Sequence, residues 1–171
     1  MKKVLIVVDM QNDFVYGALG SEMAQAIVPN IKQKIAEYKE RGDVVIYTQD
    51  THYDNYLDTN EGKHLPVVHC MFDEPGWCVV DELEDMNCMH VLKDTFGHTN
   101  WGFFLEDDVE EIELVGVCTS ICVVSNALIL KAIYPEANIT VDASCCACVT
   151  PESHKHALET MKMCQVNVIN E

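Results

Sequence analysis

Positive charge is what this sequence has least of. Its 171 residues carry 11 Lys and Arg against 28 Asp and Glu, a formal net charge of −17. A field of that sign repels phosphate backbones and anionic lipid, so nucleic acid and membrane surfaces are disfavoured as partners. Neutral or cationic ligands and divalent metals suit it better. No apolar run approaches the roughly 20 residues of a membrane span. The opening Met1-Lys2-Lys3 before Val4 to Val8 has the outline of an export leader, but the apolar run is too short and Asp9 interrupts it. Repeats, low-complexity tracts and Gly/Ser linkers are also missing, so one domain over residues 1–171 is expected. The nine cysteines are odd in number and lack the compact, even spacing of a secreted disulfide scaffold. They read as reduced thiols of a cytoplasmic protein.

What is present is a globular composition, 49% apolar and 23% charged, in which strands and helices alternate. Lys3 to Val8 holds a continuous apolar, mostly β-branched run from Val4 on, the mark of a strand buried on both faces. Ile27, Ile31, Ile35 and Tyr38 share one face of a helix over Ala26 to Lys39, which Gly42 stops. Strands are expected at Asp43–Thr48, Met89–Leu92, Glu111–Val117, Asn138–Val141 and Val166–Ile169. Cys122–Ile133 reads as an apolar helix, and Asp58 to Lys63 as part of a long polar loop. Thr150-Pro151 supplies an N-cap and a first-position proline for a helix reaching Met163. The pattern implies an α/β fold: three layers, α/β/α, around a mostly parallel six-stranded sheet. Ligands of such sheets lie beyond the carboxyl ends of the strands. Those ends hold Asp9, Asp50 with His52, Lys93, and Gly116 to Cys122.

Gly116-Val117-Cys118-Thr119-Ser120-Ile121-Cys122 joins a strand to a helix, placing Cys122 in a first helical turn. Unpaired N–H groups there favour a thiolate and can hold an oxyanion. Cys118 competes with it locally, and Cys145, Cys146 and Cys148 are rivals that read as small residues packing after a strand. An Asp beside both a Lys and a Cys makes a coherent triad, the Asp moving the proton and the Lys steadying two anions. Asp9 and Lys93 stand where such partners are needed.

Taken in order, Val7-Val8-Asp9-Met10-Gln11-Asn12-Asp13-Phe14, Thr48-Gln49-Asp50-Thr51-His52, Val91-Leu92-Lys93-Asp94, Gly116 to Val123, Asp142-Ala143 and Pro151-Glu152-Ser153-His154 are specific. The chain resembles the isochorismatase-like cysteine hydrolases, and within them the nicotinamidase (pyrazinamidase) branch. The resemblance implies a triad of Asp9, Lys93 and Cys122, a cis peptide before Cys118, and an oxyanion hole from the amides of Cys118 and Cys122. Ser120 stands where the family often has Asp and is expected to cap the helix. The resemblance further implies one divalent transition metal, zinc first and manganese or iron otherwise, on Asp50, His52 and His69 with Glu61 as a further candidate. The remaining histidines (His64, His90, His98, His154, His156) are left as non-ligands, His154 making structural hydrogen bonds. Phe14, Phe96 and Trp101 are candidate pocket aromatics.

The activity implied is hydrolysis of a small neutral aromatic amide, nicotinamide to nicotinate and ammonia, through a Cys122 thioester. Another small amide or carbamoyl compound, an ether hydrolysed by a cysteine-independent relative, and a catalytically silent binding or assembly module are the alternatives. A homo-oligomer is expected; the chain is shorter than many relatives, its pocket-closing loops being either trimmed or supplied by a neighbouring subunit.

Overall fold

The computed structural model describes residues 3–171. The Met1-Lys2 part of the leader-like opening lies outside the described residues. Six strands form one all-parallel sheet in the order β3-β2-β1-β4-β5-β6. They are β1 (Lys3–Val8), β2 (Val44–Asp50), β3 (Met89–Lys93), β4 (Glu111–Val117), β5 (Asn138–Ala147) and β6 (Asn167–Ile169). The helices are α1 (Asn12–Val15), α2 (Glu22–Arg41), α3 (Asn60–His64), α4 (Val124–Ile133) and α5 (Pro151–Met163). The expected three-layer α/β fold is therefore present, with the sheet parallel throughout.

β1 is central, and Val4 to Val8 are wholly buried. Its alternating side chains enter two separate cores. Val4, Ile6 and Val8 pack with Leu130 of α4 and with Leu158 and Met161 of α5. Leu5 and Val7 pack with Ile27, Ile31 and Ile35 of α2 on the opposite face. Full burial of such a side chain contributes about 1.5–3 kcal/mol, which is why this strand is apolar without alternation. The order switches direction at β1, between β2 and β4. That switch point opens a crevice at the carboxyl ends, where β1, β2, β3 and β4 release Asp9, Asp50, Lys93 and the Cys118–Cys122 turn.

The expected element boundaries shift in several places. α2 starts earlier than Ala26 because Ser21 caps it, accepting from the Ala24 N–H. Gly42 ends it in the left-handed region, φ 75°. Asp58 to Lys63 is not a plain loop: a 3₁₀ turn at Tyr56–Asp58 leads into α3, capped by the Thr59 hydroxyl on the Gly62 N–H. β5 runs on past Val141 to Ala147, so Cys145 and Cys146 are buried strand residues and do not follow the strand. Thr150 and Ser153 form a reciprocal capping box at the start of α5, with Pro151 in the first turn. No helix among the described residues is long and apolar enough to cross a membrane.

Candidate active site

Four strand ends build the site. Asp9 follows β1 with φ 51°, a left-handed conformation unusual for a non-glycine residue. Its N–H donates to the Thr48 carbonyl at 3.2 Å, and its Oδ1 accepts from the Thr48 hydroxyl at 2.6 Å. Asp50 and Lys93 end β2 and β3 in direct register. Gln11 holds Asp50 by both backbone groups: its Nε2 donates to the Asp50 carbonyl at 2.8 Å and its Oε1 accepts from the Asp50 N–H at 2.7 Å. On β4, Gly116 has φ 116°, and a Cβ there would lie 2.1 Å from the Val8 carbonyl oxygen. Only glycine lets β4 approach β1 so closely at this point.

The Val117–Cys118 peptide is cis. After it, Thr119–Val123 forms a π-helical turn, with the Val123 N–H donating to the Cys118 carbonyl at 3.1 Å. Cys122 thus sits in this wider turn ahead of α4, not in the first turn of the α-helix as the sequence suggested. Ser120 does not cap a helix; its hydroxyl lies 2.9 Å from Cys148 Sγ. His154 anchors the turn from α5, its Nδ1 2.8 Å from the Thr119 hydroxyl.

Asp9, Lys93 and Cys122 converge below the surface. The Lys93 ammonium lies 2.7 Å from Asp9 Oδ2, 3.1 Å from Asp50 Oδ1 and 3.6 Å from Cys122 Sγ. All four side chains are buried. Burial raises the Asp9 carboxyl above its ordinary range, more than the Lys93 charge lowers it, and Asp50 adds to the rise. Burial likewise pushes the Cys122 thiol well up, with Lys93 opposing. Burial opposes the charge on Lys93, yet Asp9, Cys122 and Asp50 hold its ammonium well above the ordinary value. Burial in this setting opposes a thiolate and the Lys93 ammonium favours one, in place of the helix-end amides that the sequence suggested. Asp9 Oδ2 lies against the same ammonium and makes no well-aligned hydrogen bond.

Asp50, His52, Glu61 and His69 form a second cluster, with one donor atom from each within 4.8 Å of the others. His52 Nε2 is 3.0 Å from Asp50 Oδ2 and 3.7 Å from Glu61 Oε1; His69 Nε2 is 3.7 Å from Asp50 Oδ2. Burial opposes ionisation of Asp50, but His52 at 3.0 Å, the His69 ring beside it and the Lys93 charge hold its carboxyl well below the ordinary range. His69 Nδ1 lies 2.7 Å from the Val67 carbonyl, so that nitrogen carries the proton and Nε2 presents its lone pair. Asp13 secures the next residue, its Oδ2 accepting from the Cys70 N–H at 2.8 Å. Two imidazoles and two carboxylates, one imidazole locked in the ligating tautomer, fit a divalent transition metal.

The two clusters open into one cavity of about 400 Å³. Cys122, Asp50, Glu61 and His69 supply its polar floor, and Phe14, Phe96 and Ile121 are among its apolar walls. Phe14 also meets His69 edge-on, ring centroids 5.4 Å apart. Trp101 is not a wall. It is fully buried in the core, against His98 and Phe104, at the start of a 3₁₀ turn over Trp101–Phe103 whose last residue, Phe103, is exposed. Cys118 and Cys148 line the cavity, whereas Cys145 and Cys146 do not border it. All nine cysteines are free thiols. Gln11, Asp13, Thr48 and Asn126 were not singled out from the sequence. Gln11 and Asp13 stood inside the Asp9-to-Phe14 motif, but nothing marked Asn126.

Comparison with known proteins agrees with this architecture. Residues 3–171 match the isochorismatase domain. The nicotinamidase of Schizosaccharomyces pombe is 27% identical, over 98% of this chain and 92% of that protein. The pyrazinamidase of Pyrococcus horikoshii, solved in complex with zinc, superposes with a TM-score of 0.87 at 26% identity over the whole of both chains. The nicotinamidase of Bacillus subtilis superposes at 0.86 and 27% identity, over 99% of this chain and all of that one.

Proposed function

The chain belongs to the isochorismatase family of hydrolases, and from that premise we propose that it deamidates nicotinamide to nicotinate and ammonia through a thioester on Cys122. One observation carries the reading: a single buried ammonium, Lys93, touches Asp9, Cys122 and Asp50 at once. It ties a nucleophile and its base to a metal-ligand set at the floor of one small cavity.

In the proposed reaction Asp9 takes the proton of the Cys122 thiol as sulfur attacks the amide carbon. Lys93 steadies the negative charge that passes between sulfur and carboxylate. The backbone amides of Cys118 and Cys122 receive the oxyanion. Asp9 then gives its proton to the departing nitrogen, and ammonia leaves. Its raised affinity for a proton suits it to hold one between these steps. Water next attacks the thioester while Asp9 accepts a proton. The tetrahedral species collapses to the acid, and the proton returns to Cys122.

Asp50, His52, His69 and Glu61 would hold the metal, zinc by preference, which when bound supplies a Lewis-acid contact for a ring nitrogen. Phe14 and Phe96 flank the ring, and the cavity volume suits a single-ring amide. The family relatives that carry nicotinamidase and pyrazinamidase names support this substrate class. The odd count of free thiols supports a cytoplasmic setting.

The test is ammonia release from nicotinamide by the metal-loaded protein, beside Cys122→Ala and a chelator-treated sample. Turnover that vanishes in Cys122→Ala and falls on chelation is the expected result. No turnover by the loaded wild type would remove nicotinamide as substrate.

A further inference from the structure

Asn126 is a fully buried amide for which the reaction above has no role. It lies on α4, one helical turn beyond Cys122. Its Nδ2 donates to the Cys122 carbonyl at 2.9 Å and to the Phe96 carbonyl at 3.3 Å. Its Oδ1 accepts from the His98 N–H at 2.9 Å. The reverse orientation of the amide would set NH₂ against an N–H and oxygen against two carbonyls, so the network defines this one. One side chain thus fastens the nucleophile's turn to two points on the segment after β3.

Phe96, the wall residue, stands at one of those points, with nearly half of it exposed. Gly97 lies between them and presses the segment onto the same helix. A Cβ on Gly97 would come 2.5 Å from Ile129 Cδ1 and 3.1 Å from Ser125 Cβ. The Thr95 hydroxyl folds the segment back on itself by donating to the Gly97 carbonyl at 2.9 Å. The position of the Phe96 ring relative to the Cys122 sulfur is therefore set from α4, through Asn126 and through the bare surface of Gly97.

We propose that Asn126 is a positioning residue that fixes the gap between the Cys122 nucleophile and the Phe96 wall, and with it the alignment of an aromatic amide for attack. The proposal rests on the amidase reading of the site. Its physical basis is that attack is steeply sensitive to alignment, a misplacement of about 1 Å costing up to about 100-fold. A half-exposed ring keeps a fixed place only if its backbone is held.

The experiment is a double-mutant cycle in the full-length, metal-loaded protein with Asn126→Ala and Phe96→Ala, reading kcat and KM for nicotinamide. Each single change is expected to lower kcat/KM about tenfold, with kcat carrying most of the loss in Asn126→Ala. The double variant is expected to match Phe96→Ala in kcat/KM, because a missing wall no longer needs placing. Multiplying effects on kcat/KM, or no effect of Asn126→Ala, would overturn the proposal, since a merely structural loss acts independently of Phe96. If Asn126→Ala does not fold, Gly97→Ala displaces the segment from its other side and enters the same cycle with the same expectation. If the wild type releases no ammonia from nicotinamide, the amidase reading fails separately. The cycle is then read on the rate at which iodoacetamide alkylates Cys122, located by peptide mass. Both single changes should open the cavity and speed alkylation, and the double should be no faster than Phe96→Ala. Independent effects there again contradict the proposal.

Discussion

Asp9 and Asp50, at the ends of neighbouring strands, share one buried cation: the Lys93 ammonium stands 2.7 Å from the first and 3.1 Å from the second. The base of the proposed triad and a ligand of the proposed metal are thereby parts of one charge network.

Removing that cation should damage fold and activity together. Lys93→Met leaves two carboxylates buried without their partner, a class of change that costs about 3–5 kcal/mol. Chemical denaturation should show a loss of that order, and ammonia release should disappear. A variant of wild-type stability would mean that the network contributes little to the fold.

Metal binding should be visible without any assay of turnover. Zinc added to metal-free protein should raise the melting temperature. At a free concentration 100-fold above Kd the stabilisation expected is about 2.7 kcal/mol. His69→Ala should abolish most of that shift, because it removes the imidazole whose tautomer the Val67 carbonyl fixes. An equal shift in His69→Ala would move the metal elsewhere.

Acid should weaken the fold through Asp142, far from the catalytic cavity. Burial opposes its ionisation, but the hydrogen bonds from Lys34, Ser144 and Asn170 outweigh it and hold its carboxyl below the ordinary value. Lys34 lies 2.5 Å from it and also pairs with Glu113. A depressed carboxyl contributes stability above its unfolded pKa of about 3.9, and that contribution fades as pH falls through the lower folded value. Asp142→Asn should therefore cost about 2 kcal/mol at neutral pH. The gap to wild type should narrow once the pH drops below about 4. A gap that is constant with pH would contradict this account.

The sheet was legible because β1 is apolar from Val4 to Val8 without alternation and the helices carry clean faces. Ile27, Ile31 and Ile35 point to one core while Val4, Ile6 and Val8 point to the other. The strand ends then indicated where Asp9, Asp50 and Lys93 would meet. Local geometry was harder to read. The wide turn at Thr119–Val123, which follows the close approach of β4 to β1 at Gly116, is not something helix propensity encodes. Trp101 and Phe96 share a segment and similar chemistry, yet one is core and the other lines the cavity. Asn126 carried no sequence signal at all, since an Asn inside an apolar helix acquires its role from the segment folded onto it. The burial of the Cys122 thiol was not legible for the same reason, because burial depth is a tertiary property.

The central claim is that Cys122 carries the acyl group. Its most direct measurement is rapid quenching of the protein with nicotinamide, followed by peptide mass analysis. The account predicts a transient nicotinoyl adduct on the Cys122 peptide, absent in Cys122→Ala, formed and lost at rates that match ammonia release. Turnover with no adduct on Cys122, persisting in Cys122→Ala, would contradict it.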